Sequence, residues 1–163
     1  MTSLHYSSES GEHGVCHCSV CGTETSAETD HEVHGDPNVD PAQSPCHACG
    51  HRIWFDWAAS GTSLTIRLGG LGIVTEQNLM RVLGRIDQEV RSRPGSRVFL
   101  DFGPVGHITS TAIAQLVGLK RRLDAEAGQI TLKVPLPELQ DIFRITRLDS
   151  VFSFAAEPHT VIP

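Results

Sequence analysis

The sequence predicts an α/β fold, a mixed β-sheet with helices mainly on one face, preceded by a small module held together by metal. Three observations carry that prediction. Apolar residues alternate with period two in some segments and recur at helical spacing in the segments between them, a C-x-x-C-G pattern is written twice, and the excess negative charge sits in the first third.

The strand and helix segments follow in order. Trp54–Trp57 and Leu64–Leu68 flank the turn A-A-S-G and read as a hairpin; Leu64, Ile66 and Leu68 point one way, Thr65 and Arg67 the other. Thr75 is placed to cap a helix whose Leu79, Val82, Leu83, Ile86 and Val90 form one stripe, and S-R-P-G ends it. Arg97–Phe102, apolar on both faces except for Asp101, reads as a central strand. A second helix starts near Ser110, buries Ile113, Leu116, Val117 and Leu123, and closes at Gly128. Ile130, Leu132 and Val134 alternate inward on the next strand, Pro137 opens a third helix carrying Leu139, Ile142 and Phe143, and Val151–Phe154 is a last strand. The order ββαβαβαβ is that of an α/β sheet, and its alternating strands leave one face partly open to another domain or subunit.

Composition divides the chain into residues 1–52 and 53–163. The first part has eight acids against Arg52, net −7, and seven of the nine histidines; the remaining 11 acids and 12 bases give +1. Within the first part stand Cys18-x-x-Cys21-Gly22 and Cys46-x-x-Cys49-Gly50. Two residues between thiolates let both sulfurs face one ion about 2.3 Å away, and the glycine permits the tight turn. Four thiolates at the corners of a tetrahedron suit zinc, with iron second. Each half resembles a knuckle of a zinc ribbon. Cys16 is a fifth thiol able to replace Cys18, whereas His17, His47 and His51 read as solvated side chains in a histidine-rich segment. The spacer, residues 22–45, is acidic, proline-containing and nearly free of large apolar side chains, and reads as a mobile loop. So few apolar residues make no core, so these knuckles are expected to fold only with metal.

Several function classes are disfavoured. No apolar run approaches the ~20 residues of a membrane helix, and the polar start is unlike a signal peptide, so a soluble, cytoplasmic protein is expected. One arginine in the acidic first part opposes binding to nucleic acid. No nucleophile elbow or phosphate-binding loop is present, and His107 three residues before Ser110 is too thin a constellation for an enzyme.

The run from Val98 through Gly106-His-Ile-Thr-Ser-Thr-Ala-Ile-Ala-Gln-Leu116 and on to Phe152 resembles the STAS domain of anti-sigma factor antagonists, over roughly residues 53–157. In that family a D-S-S-G-L-G segment opens a helix, and its first serine is phosphorylated by a kinase that is also the anti-sigma factor. The resemblance implies a non-enzymatic regulator that binds such a partner when unphosphorylated, and it places Ser110 at the phosphorylated position. Thr109 stands for the family's aspartate, Thr111 for its second serine, Ala112 and Ala114 for its glycines, and Gly69–Gly72 for its acidic turn. A phosphate on Ser110 would add about 1.5 to 2 negative charges at a helix N-terminus, which the domain tolerates but a partner docked over Ile108 would not. Ser110 or Thr109 also serves to cap the helix. The alternative is a phosphorylation-independent scaffold using the ribbon and the open sheet face.

Overall fold

The structure, a computed structural model, describes residues 16–25, 46–70 and 73–155. The predicted spacer loop lies largely outside the described residues. Strands β1 (Cys16–Cys18), β2 (Glu24–Thr25), β3 (Trp54–Ser60), β4 (Ser63–Gly69), β5 (Ile73–Val74), β6 (Arg97–Asp101), β7 (His107–Ile108), β8 (Gln129–Lys133) and β9 (Ser153–Phe154) combine with helices α1 (Glu76–Arg91), α2 (Ser110–Ala125) and α3 (Pro137–Ile145). A single sheet runs β2-β1-β3-β4-β6-β8-β9, antiparallel among its first four strands and parallel from β4 to β9. Both antiparallel and parallel ladders are therefore present, as a mixed sheet requires.

Alternation decides the faces. Leu64, Ile66 and Leu68 on β4, Val98 and Leu100 on β6, and Ile130 and Leu132 on β8 all turn into one core, which α1 closes with Leu79, Val82, Leu83, Ile86 and Val90. Fully burying each such side chain contributes about 1.5–3 kcal/mol. Helix α2 buries Ala112, Leu116, Leu119 and Leu123, a stripe of 4, 3, 4 spacing, with Ile113 and Val117 half-buried at its margin. On α3 Leu139 and Phe143 enter the core, where Phe143 meets Phe102 and Phe152 edge to face. The opposite face carries Thr65, Arg67, Asp101 and Lys133, with Lys133 Nζ 3.1 Å from Asp101 Oδ2.

Three elements differ from expectation. The hairpin strands extend through the expected turn, because Ala58, Ala59 and Ser60 continue the ladder to Thr65, Leu64 and Ser63, and Gly61 alone (φ 57°) takes the left-handed turn position. The final strand is only Ser153–Phe154, since Leu148–Ser150 form a 3₁₀ turn entered through Arg147 at φ 56°. A separate two-stranded parallel ladder pairs Ile73 with His107 and Val74 with Ile108. Two-residue strands leave almost no periodicity to read, yet this ladder sets the starts of α1 and α2 side by side.

The cysteine segment joins the same sheet: β1 pairs with β3 at His17–Phe55 and Cys18–Trp54. Cross-strand partners share a face, so Cys18 and Trp54 lie opposite the helices, where they pack with Cys46 as a second small cluster. His17 turns to the other face, its ring centroid 4.4 Å from Trp57, over which the Arg85 guanidinium of α1 sits at 3.9 Å.

Candidate functional sites: a four-cysteine centre and the start of helix α2

The two C-x-x-C-G segments adopt the same local structure. In each, the glycine N–H donates to the first cysteine's carbonyl (Gly22 to Cys18, 3.0 Å; Gly50 to Cys46, 2.7 Å). In each, the first cysteine's N–H reaches across the turn, Cys18 to Thr23 O and Cys46 to His51 O. Gly22 (φ 78°) and Gly50 (φ 75°) are left-handed, the conformation that admits glycine without cost. These turns bring four sulfurs together: all lie within 4.8 Å of one another, with Cys18–Cys49 and Cys21–Cys46 both at 3.6 Å. A tetrahedron with metal–sulfur bonds of about 2.3 Å has edges of about 3.8 Å, so the arrangement fits a four-coordinate ion such as zinc. It is also far too wide for a disulfide.

Electrostatics point the same way. The Thr23 hydroxyl, 3.0 Å from Cys21 Sγ, is the main influence drawing that thiol down to about 6. The His51 N–H favours the Cys49 thiolate too, but lost hydration and the crowding Cys21, Cys18 and Cys46 sulfurs push its thiol up to about 12. Four such neighbours ionise together only around a cation. Cys16 lies beside Cys18 and Trp54 but outside the four-sulfur group, and His17 has its pKa lowered, chiefly by burial against the Phe55 and Trp57 rings.

The second site is the start of α2. Gly103 positions the approach: at φ 51° a Cβ there would lie 2.5 Å from Leu68 O, so the chain can pass β4 this closely only with glycine. Thr109 is the cap, its hydroxyl accepting from the Ala112 N–H at 3.2 Å, while its own N–H donates to Val74 O at 2.9 Å. Ser110 therefore is free of capping duty and exposed at the first helical position. Thr111 donates to Glu76 Oε2 at 2.6 Å and lies 3.0 Å from the Thr109 hydroxyl. That bond is the main reason the Glu76 carboxyl is held below its usual range. Ile108 is only 8% exposed and belongs to the core, so the outer surface here is made by Ser110 and Thr111 rather than by Ile108. No hydrogen bond joins exposed His107 to Ser110 among the described residues.

A family model for the STAS domain matches residues 64–161. The chain belongs to the STAS domain family. In this STAS domain, β4 from Leu64 onward, β5 through β9 and the three helices fall within the matched residues, and the four cysteines precede them. The fold is also similar to that of a proposed anti-sigma factor antagonist from Thermotoga maritima, at 14% identity and TM-score 0.53 over 64% of this chain and 87% of that one. Two structures of the Bacillus protein SpoIIAA also match. The unphosphorylated anti-sigma factor antagonist is 17% identical over 63% of this chain and 88% of its own, and the phosphorylated form 19% over 66% and 96%, both at TM-score 0.48. A comparison with curated protein sequences gives no match.

Sequence reasoning missed Asn78. It is 3% exposed on α1 and donates through Nδ2 to the buried Ser19 hydroxyl at 2.8 Å, while its Oδ1 accepts the Thr75 N–H at 2.9 Å. The one available signal was a polar residue beside Leu79 at the third position of a helix, a capping-box place.

Proposed function

We propose that the chain is a cytoplasmic signalling regulator of the anti-sigma factor antagonist type, acting by protein–protein contact and not by catalysis. Its partner is an anti-sigma factor with serine kinase activity, and phosphorylation of Ser110 ends the contact. Cys18, Cys21, Cys46 and Cys49 hold a structural zinc. The observation that carries this reading is the exposed Ser110 at the family's phosphorylated position, with the cap supplied by Thr109 instead. Because Ser110 makes no fold-critical bond, a phosphate there alters the surface while the domain stands. The expected outcome is a partner retained by Ser110→Ala and lost by Ser110→Glu in pull-downs of the tagged chain, with intact-mass analysis reporting phosphate on Ser110. Equal binding by both variants would sink the switch.

The Glu76 carboxylate favours a second reading. It already places a negative charge beside the hydroxyls of Thr109 and Thr111, where the family has an acidic residue and a second serine in a different arrangement. In this reading the chain is a phosphorylation-independent scaffold whose lasting contact uses the cysteine module and the open sheet face. Chelating the zinc then abolishes the complex, and replacing Ser110 leaves it intact.

A further inference from the structure

We propose that metal occupancy of the four-cysteine centre is transmitted to the start of helix α2, so that zinc sets how firmly the Ser110 segment is held. The proposal rests on the zinc reading of the cysteines and on Ser110 as the contact position, and adds a control over that position.

The connection is continuous and polar. Ser19 lies inside the first knuckle, between Cys18 and Cys21, fully buried, and its hydroxyl accepts from Asn78 Nδ2 at 2.8 Å. Arg81, one turn further along α1, donates through Nε to Val20 O at 3.2 Å, and the same guanidinium covers Gly22 so closely that a Cβ there would approach within 2.6 Å. Asn78 in turn fixes the cap of α1 by accepting from the Thr75 N–H and, at 2.9 Å, from the Thr75 hydroxyl. The next residue is Glu76, which holds Thr111 on α2, and Thr111 lies against the capping hydroxyl of Thr109. The first turn of α1 is thus gripped on one side by a knuckle and on the other grips the turn that presents Ser110.

The two-state element such coupling needs is the knuckle itself, because a thiolate site without a core folds with its metal and unfolds without it. When the metal leaves, Ser19 and Val20 leave with it. Asn78 then faces water instead of a buried hydroxyl, its hold on the Thr75 cap relaxes, and Glu76 loses its fixed place opposite Thr111. The hydrophobic core of β4, β6 and β8 has no member in the knuckle. Loss of metal therefore loosens this corner selectively.

The test is amide hydrogen exchange by NMR on the full chain, zinc-loaded and after chelation with a thiol reductant present, with native mass spectrometry reporting bound zinc. The reporters are the N–H groups of Leu79, Thr109 and Ala112, bonded to Thr75 O, Val74 O and Thr109 Oγ1 respectively. Chelation is expected to speed exchange at all three by about 5-fold or more, the low end of ordinary site-to-site coupling. Leu100 and Leu132 should not change. In zinc-loaded Asn78→Ala, Ala112 should already exchange at the chelated rate with zinc still bound. The surface variant Glu76→Ala should keep the response of Leu79 to chelation and lose that of Ala112. Unchanged exchange at Thr109 and Ala112 on zinc removal overturns the coupling alone, and so does a uniform rise that includes Leu100. A chain that retains no zinc overturns the metal reading as well. Neither readout involves phosphate on Ser110, so failure of the partner switch appears separately.

Discussion

The cysteine knuckles and the domain behind them are held by different physics within one sheet. Around Leu100, 27 apolar side chains among the described residues form a continuous buried core that spans all three helices. Around Cys18 the buried cluster is Cys18, Cys46 and Trp54, with Cys16 and Val20 at its edge. The first region excludes enough water to stand by itself. The second has four sulfurs arranged to receive an ion, and on the proposed reading it depends on that ion and has an on and an off state that a hydrophobic core lacks. A regulator of the proposed kind would gain from such a division: one part would keep its shape, and the other would respond to metal.

The largest effect expected is from Cys46→Ser. It should abolish stoichiometric zinc binding and red-shift tryptophan emission as Trp54 meets water, with a cooperative melt of the α/β domain remaining. If that melt vanishes too, the two regions are one folding unit and the contrast fails. Next, Phe143→Ala should cost about 3–5 kcal/mol in denaturant unfolding, because Phe143 is 1% exposed among Phe102, Phe152 and Phe154, while the fraction that is folded still binds zinc. Thr109→Ala removes the α2 cap and should destabilise by about 1 kcal/mol, readable as a shift in denaturant midpoint.

Smaller still is a pH effect at Glu76. Its carboxyl is held below the ordinary glutamate range by the Thr111 hydroxyl, so its contribution is present at neutral pH. It disappears as pH falls from the unfolded-state value through the lower folded-state one. The difference in melting temperature between wild type and Glu76→Gln should therefore be a small loss at pH 7 that closes on acidification below pH 4. A difference that grows toward acid would mean that the bond to Thr111 is not what stabilises the ionised form.

Long periodic segments were legible because their burial is dictated by spacing: the stripe from Leu79 to Val90 is buried as read, and so are Leu64, Ile66, Leu68, Ile130 and Leu132. The four cysteines were legible because thiolate spacing is short-range chemistry, and the structure brings those four together. What escaped reading depended on distant partners. The pairing of β1 with β3 joins residues 36 apart at Cys18–Trp54, and nothing in a three-residue strand announces it. The β5–β7 ladder and the Asn78–Ser19 bond are of the same kind, each joining segments far apart in the chain. Ile108 shows the converse: its position in the motif suggested a contact surface, but Val74 across the small ladder draws it inward.

The short pairing of β1 with β3 also bears on how the chain behaves among its own copies. A sheet ends where backbone donors and acceptors run out of partners, and an uncovered border of this sort invites another strand. On this side β1 seals the border at the buried Trp54 and Phe55, leaving Asp56, half-buried Trp57 and the small exposed Ala58, Ala59 and Ser60 beyond it. A metal centre of the kind proposed would thus work as a stopper on this part of the sheet's margin. Stripping the proposed ion is therefore expected to free the edge backbone of Trp54 and Phe55 and to bare the Trp54 ring, while the Phe55 side chain stays in the main core, and the first sign expected in solution is concentration-dependent self-association.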